Sequence, residues 1–430
     1  MRVLLLLCLS VAISARQLQL ASLVFRHGDR SPVGTFPNDP HQVGDWPQGW
    51  GQLTQMGMLQ HYDLAQELLI KRYMTKGTET FLLNSTYERN EIHVRSTDVD
   101  RTLMSAECQM AALYKPTGRQ VFLENLDWQP VPIHTVPVAE DKLLRGYTVD
   151  CPRYKELREE GKKDADYLEV MAQNKDLFAR VKKNTGIDYD LNPDNAYQIS
   201  DPLFCEKQHN LTWDDWVTEE DFAALTKVNG FGIYKMFAGN EIHRITAGPF
   251  LGEVLDHMEK KQKHCELEAT KMFVYSAHDT TVAGFLNALG LYGPNTPQPP
   301  YASIMMIELY LQDDGSYAVE VYYHMGPEAD SPAEFMALPG CPSPCTLEKF
   351  KAFVTPLIPE NFDEECQLSS SKPGKSKAGM IAGLSLFAAA LVVALVVLAV
   401  WCRRSGRDKR GFHPTRGKPF MNDCSGSDTD

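Results

Sequence analysis

An α/β fold with neighbouring parallel strands is what the sequence predicts, followed by one C-terminal membrane-spanning helix. Three strand-to-helix passages and one long uncharged apolar run carry that expectation. In each passage a short apolar segment ends in charged residues just before a loop or a stretch with helical spacing.

The elements follow in chain order. Arg2, the apolar run Val3–Ile13 and small residues at Ser14 and Ala15 read as a secretory signal peptide over 1–15. Leu18–Phe25 is the first strand and runs into Arg26-His27-Gly28-Asp29-Arg30-Ser31-Pro32. Glu91–Arg95 is the second; Ser96, Thr97 or Asp98 is then placed to cap a helix from Val99 to about Leu113. Lys271–Ser276 is the third, followed by Ala277-His278-Asp279 and helical spacing from Thr280 to Leu289. A polar linker at 369–377 precedes Ala378–Trp401, which has no charged residue and the length needed to cross a bilayer. The basic residues after Trp401 and the N-terminal signal orient 16–368 to the lumen and 402–430 to the cytosol.

Composition narrows the class further. A formal net charge of −13 over 430 residues disfavours nucleic acid as a partner. Seven cysteines remain in the lumenal part (Cys108, Cys151, Cys205, Cys265, Cys341, Cys345 and Cys366), so at least one is free or pairs between chains. Cys341-Pro-Ser-Pro-Cys345 has the wrong spacing for a zinc knuckle and reads as a small disulfide-closed loop. Asn84-Ser85-Thr86 and Asn210-Leu211-Thr212 are glycosylation acceptors in a lumenal chain.

In an open α/β sheet, ligands bind beyond the carboxyl ends of the strands. Three parallel neighbouring strands bring Arg26, His27, Arg30, Arg95, His278 and Asp279 to one such edge. Guanidiniums match phosphoryl oxygens, a neutral histidine is a competent nucleophile at phosphorus, and a desolvated carboxyl can protonate a leaving alcohol. Each piece alone is weak: an Arg-His-Gly tripeptide recurs by chance, and a lone arginine is usually a surface ion pair. Their repetition at three matching strand ends carries the reading, which needs no metal or other cofactor.

These motifs, with Trp46–Thr54, Trp128–Pro137 and Pro299–Ser303, resemble the histidine acid phosphatase family of the phosphoglycerate-mutase-like fold, its animal lysosomal and prostatic members above all. The resemblance spans essentially the whole lumenal part. It implies a mixed, mostly parallel sheet flanked by helices and a smaller, mostly helical region at about 150–250. His27 would be the phosphate-accepting nucleophile and Asp279 the proton donor. Arg26, Arg30, Arg95 and His278 would bind the phosphoryl group, and Trp128 and His134 would lie at a homodimer interface. The family's disulfides imply Cys151–Cys366 and Cys341–Cys345. A third would join Cys205 to a position that holds Ile304 here, which leaves Cys205 free or paired with Cys265 or Cys108.

Small phosphomonoesters are the expected substrates, with phosphoproteins and lysophospholipids open. The tail has neither Tyr nor Leu, so lysosome and cell surface stay open as destinations. The competing expectation is a catalytically silent ectodomain with an adhesion or receptor role, against which all six polar residues stand intact.

Overall fold

The computed structural model describes residues 16–263, 269–326, 328 and 331–368. The expected signal peptide, linker, transmembrane helix and tail lie outside the described residues, as does Cys265. Among the described residues no helix is long and apolar enough to cross a membrane.

Six strands form one sheet: β1 (Gln17–Arg26), β2 (Ile92–Ser96), β3 (Met272–Ala277), β4 (Ile304–Leu311), β5 (Tyr317–His324) and β6 (Glu334–Phe335). Their order is β2-β3-β1-β4-β5-β6. β3 lies parallel between β2 and β1, so the three strands read from the sequence are neighbours, with Arg26 level with Ala277 and Ser96 level with Ser276. The other pairings, β1 with β4, β4 with β5 and β5 with β6, are antiparallel. The sheet is therefore mixed but not mostly parallel as expected. For β4 and β5 the reason is local: Asp313-Asp314-Gly315-Ser316 turns β4 straight back into β5, with Gly315 at φ 80° where a side chain would strain the backbone.

Helices cover both faces. Ahead of β2 come α1 (Gln55–Leu64) and α2 (Ile70–Tyr73), joined by a π-helical turn at Ala65–Leu69, and α3 (Asp100–Leu113) follows β2. Next come α4 (Pro152–Gly161), α5 (Ala165–Gln173), α6 (Lys175–Thr185), α7 (Tyr197–Gln208), α8 (Glu219–Phe237), α9 (Asn240–Thr246) and α10 (Gly248–Gln262). After β3 lie α11 (Asp279–Ala288), α12 (Leu347–Val354) and α13 (Phe362–Glu365). β1 is apolar on both sides because both are covered. Leu20 and Val24 pack with Phe250 of α10, Phe285 of α11 and Phe350 of α12. Ala21, Leu23 and Phe25 pack with Leu64 of α1 and Met110 of α3. The helices between β2 and β3 add a small core of their own, from Leu177 and Val181 to Ile199 and Val228, closed by Phe36. None of Ser96, Thr97 and Asp98 caps α3; its N-cap is Val99, without a side-chain bond.

Cys151 is bonded to Cys366 and Cys341 to Cys345. Cys205 is free and buried, with its sulfur 3.6 Å from Arg30 Nη1 and from the Tyr301 hydroxyl; Cys108 is also free. Asn84 and Asn210 are exposed. So are Trp128, near Phe122, and His134, whose segment pairs along the outer edge of β2 while its ring stacks on His93.

The loop after β1 is held by close backbone packing. A Cβ on Gly28 would fall 2.3 Å from the Gly57 carbonyl oxygen, and one on Gly57 would fall 2.2 Å from that of Asp29, so both positions require glycine. The buried Asp29 carboxyl accepts from Thr54 Oγ1 and, at 2.8 Å, from Nε2 of His209 just beyond α7. That bond raises the His209 pKa against the effect of burial. A folded value above the ordinary 6.5 means the protonated ring stabilises the fold fully below that pH and loses the effect as pH rises through the folded value. The urea-unfolding deficit of His209→Gln against the parent should accordingly be largest at pH 5 and shrink above about pH 6.5. A deficit independent of pH would contradict this.

Behind the sheet, Glu308 of β4 is fully buried and accepts from Arg72 at 2.6 and 2.7 Å and from the Tyr73 and Tyr310 hydroxyls at 2.6 Å each. Removing only the cation leaves a buried carboxylate unpaired. Arg72→Met should cost about 3–5 kcal/mol in urea unfolding, and a loss under about 1 kcal/mol would show that the cluster does not depend on the charge.

Candidate active site

The carboxyl ends of β1, β2 and β3 are tied together before any site chemistry begins. The His27 amide donates to the Ala277 carbonyl and the Thr97 amide to the Ser276 carbonyl, both at 3.0 Å. These bonds continue the parallel register one residue past each strand, so the three loops leave the sheet at one level. A cleft of about 510 Å³ opens there, lined by His27, Arg30, Arg101, His278 and Asp279 among others.

His27 is buried, with Nδ1 2.8 Å from the Gly28 carbonyl oxygen. A carbonyl can only accept, so Nδ1 carries the proton and Nε2 keeps its lone pair. Burial, then the charges of Arg101, Arg26 and Arg30 and the neighbouring His278, drive the His27 pKa well below its usual value. The ring is thus neutral and its free nitrogen nucleophilic across the working pH range.

Three arginines surround it. Arg26 donates Nη1 to the Pro299 carbonyl at 2.6 Å and lies 4.1 Å above the Tyr301 ring. Arg30 is held in a two-point bond by Asp201 of α7, at 2.8 and 3.0 Å. Arg101, in the first turn of α3, reaches the Gly51 carbonyl at 3.2 Å and, at 3.5 Å, Nδ1 of His278. Among the described residues, Arg26 Nε, Arg30 Nε and Arg101 Nε are buried without an acceptor. Buried donors normally find partners, so this set is arranged for an acceptor that the protein does not itself supply, and a tetrahedral oxyanion is the chemical match.

His278 stands with its ring centroid 5.6 Å from that of His27. Its Nδ1 faces a guanidinium that can only donate, so Nε2 carries the proton and gives it to Thr97 Oγ1 at 3.0 Å. Asp279 opens α11, where its Oδ1 accepts from the Thr280 amide and its Oδ2 from Gln298. Arg26 Nη2 lies 3.3 Å away. Burial alone would raise the Asp279 pKa. Arg26 and Arg30 outweigh it and, with Gln298 and His278, hold the carboxylate at about 2.

Of the expected residues, Arg26 stands beside Asp279 without lining the cleft, and Arg95 is not brought to the site. Arg95, the fourth residue of β2, pairs with the buried carboxylate of Asp141 at 2.7 Å. As a strand residue it projects to a face of the sheet, whereas Arg101, six residues on at a helix start, projects over the strand ends. Arg101 was missed, although it stands in the same Val-Arg-Ser-Thr-Asp-Val-Asp-Arg-Thr run. Asp201, Tyr301 and Gln298 were missed too, because Asp201 lies inside α7 and the other two in a proline-rich loop, away from the strand ends that marked the site. Among the described residues no group of three or more His, Cys, Asp or Glu is disposed to hold a metal ion.

Comparison with known proteins fits this geometry. The histidine phosphatase superfamily (branch 2) matches residues 17–324. Lysosomal acid phosphatase of Xenopus laevis is 40% identical over 387 residues, covering 89% of this chain and 86% of the relative. The human lysosomal acid phosphatase is 38% identical, with 89% and 88% covered. Prostatic acid phosphatase of Bos taurus is 42% identical over 364 residues, with 84% and 90% covered. Among solved structures, the phytase from Citrobacter braakii superposes with a TM-score of 0.61 at 15% identity, over 82% of this chain and all of that one, a likeness of fold alone. The chain therefore belongs to the histidine phosphatase superfamily, in its second branch.

Proposed function

We propose that the chain is an acid phosphatase that splits phosphate monoesters through a phosphohistidine at His27. The observation that carries this reading is the buried, neutral imidazole of His27 among the guanidiniums of Arg26, Arg30 and Arg101, whose Nε donors have no acceptor among the described residues. Nε2 attacks phosphorus in line as the bond to the leaving oxygen breaks, and that oxygen takes a proton from Asp279. Water then attacks the phosphohistidine, returns a proton to Asp279, and releases inorganic phosphate with a neutral His27. Arg26, Arg30 and Arg101 stabilise the transferring group, with His278 orienting Arg101. Arg101 takes the role expected of Arg95.

Acid pH enters through the substrate. Asp279 held at about 2 has no proton of its own to give near pH 5. A phosphomonoester below its second pKa of about 6 brings one, and its negative charge among the arginines offsets the field that keeps Asp279 ionised. kcat/KM should therefore fall as pH rises through about 6.

Around this site we place the protein in the secretory pathway, anchored once by 378–401, delivered to lysosome or cell surface, and paired as a homodimer through the Trp128 and His134 face. The lysosomal relatives, the exposed Trp128 and His134, and the exposed acceptors Asn84 and Asn210 support that picture. Substrates are small phosphomonoesters, with phosphoproteins and lysophospholipids open.

With the purified full-length protein, hydrolysis of p-nitrophenyl phosphate at pH 5 should persist in EDTA and vanish in His27→Ala. Rapid quenching with a labelled substrate should trap phosphate on the parent in a form stable to alkali and lost in acid. Activity abolished by chelation, or retained without the histidine, would remove the mechanism. Asp279→Asn should slow alkyl phosphates by about 10²–10⁴ and p-nitrophenyl phosphate far less; equal slowing would remove its acid role.

A further inference from the structure

Among the described residues, two guanidiniums of the cleft have no carboxylate partner, and the phosphoryl group of a substrate answers only one of them. Arg30 is neutralised by Asp201, Arg158 by Asp194 at 2.5 Å, and Arg26 lies 3.3 Å from Asp279. Arg101 and Arg145 remain. Among the described residues, the Arg145 side chain makes no ion pair and its buried Nε has no acceptor; its guanidinium lies 5.8 Å from the Tyr147 ring centre.

Arg145 is nevertheless firmly mounted. Its amide donates to the Asp141 carbonyl at 3.0 Å, and its own carbonyl accepts from the Thr148 amide at 2.7 Å and from the Thr148 hydroxyl at 2.9 Å. Before it, the Leu144 carbonyl accepts from Thr281 of α11 at 2.9 Å. After it, a Cβ on Gly146 would fall 2.7 Å from the Ile245 carbonyl oxygen. The loop is thus pinned to α9 and α11, and it presents Arg145 to the same cleft as His27. Tyr147, Tyr154, Ile233 and Met236 line that cleft as well and supply apolar surface for the body of a leaving group.

A phosphomonoester at acidic pH carries about one negative charge on its phosphoryl group, which Arg101 and its neighbours answer. We propose that Arg145 binds a second anionic group on the leaving-group part of the substrate. The chain then selects phosphomonoesters that also bear a carboxylate or another phosphate, with an aromatic or otherwise apolar body between the two charges. This rests on the phosphatase reading of the cleft and adds its substrate class.

The test compares 3- and 4-carboxyphenyl phosphate with the matching carbamoylphenyl phosphates, neutral compounds of nearly equal shape, on the full-length protein at about pH 5.5, where a benzoate group is ionised. The parent should favour at least one carboxylate over its neutral partner by roughly tenfold in kcat/KM, mainly through KM. Arg145→Gln should bring that ratio close to one, and Arg145→Lys should keep part of it. A parent that shows no charge preference overturns the proposal, whether or not the variants fold. So does an Arg145→Gln enzyme that loses the same factor on both members of a pair, since Arg145 would then serve the phosphoryl group common to them. Failure of the parent to hydrolyse any of the four would instead sink the phosphatase reading, and this proposal with it.

Discussion

Parallel pairing of β1 and β2 onto β3 is the constraint on which the site depends. His27, Asp279 and the arginines Arg26, Arg30 and Arg101 gather at three strand ends that lie far apart in the sequence. What gives them a common level is the register of the strands, extended by the His27 and Thr97 amides onto carbonyls of β3. Sliding one strand by a single residue would reverse its faces and displace its loop. The register of β1 against β3 therefore sets the geometry of the cleft as well as contributing stability.

Electrostatics supplies the second condition. Burying several guanidiniums around one imidazole is unfavourable in itself, and the fold offsets it unevenly. Asp201 neutralises Arg30 closely, Asp279 stands near Arg26, and Arg101 is left to one carbonyl oxygen and a histidine. Desolvation leads the lowering of the Arg101 pKa to about 10, with the repulsion of Arg30 next, yet at acid pH it stays cationic. The positive charge that, together with burial, keeps His27 unprotonated is the same charge that would attract an oxyanion.

How much of this was legible in the sequence depended on whether a signal was local. β1, β2 and β3 were found within a residue or two, because each is a compact apolar run stopped by charge. β4 and β5, equally apolar, were not read, and with them went the antiparallel half of the sheet. His27, His278 and Asp279 sit immediately past strand ends and were placed in the cleft without error. Arg95 failed because proximity to a strand end does not decide where a side chain points; pleat alternation sent it to Asp141. Asp201 and Tyr301 reach the site only through tertiary packing, from residues more than 170 positions beyond Arg30 in the one case and more than 270 beyond Arg26 in the other.

The position of β3 between β1 and β2 also bears on how such a chain is made. β1 is completed first, yet both of its sheet neighbours, β3 and β4, begin only at Met272 and Ile304. A ribosome that has passed β1 and β2 has therefore produced two strands that cannot pair with each other and whose edges stay open until the last third of the described chain emerges. Contacts of such long sequence separation slow folding, since the loop must close before any pairing rewards it. In an unfinished chain the strand ends that carry His27, Arg101 and Asp279 are therefore still apart, and they meet only when β3 enters between β1 and β2.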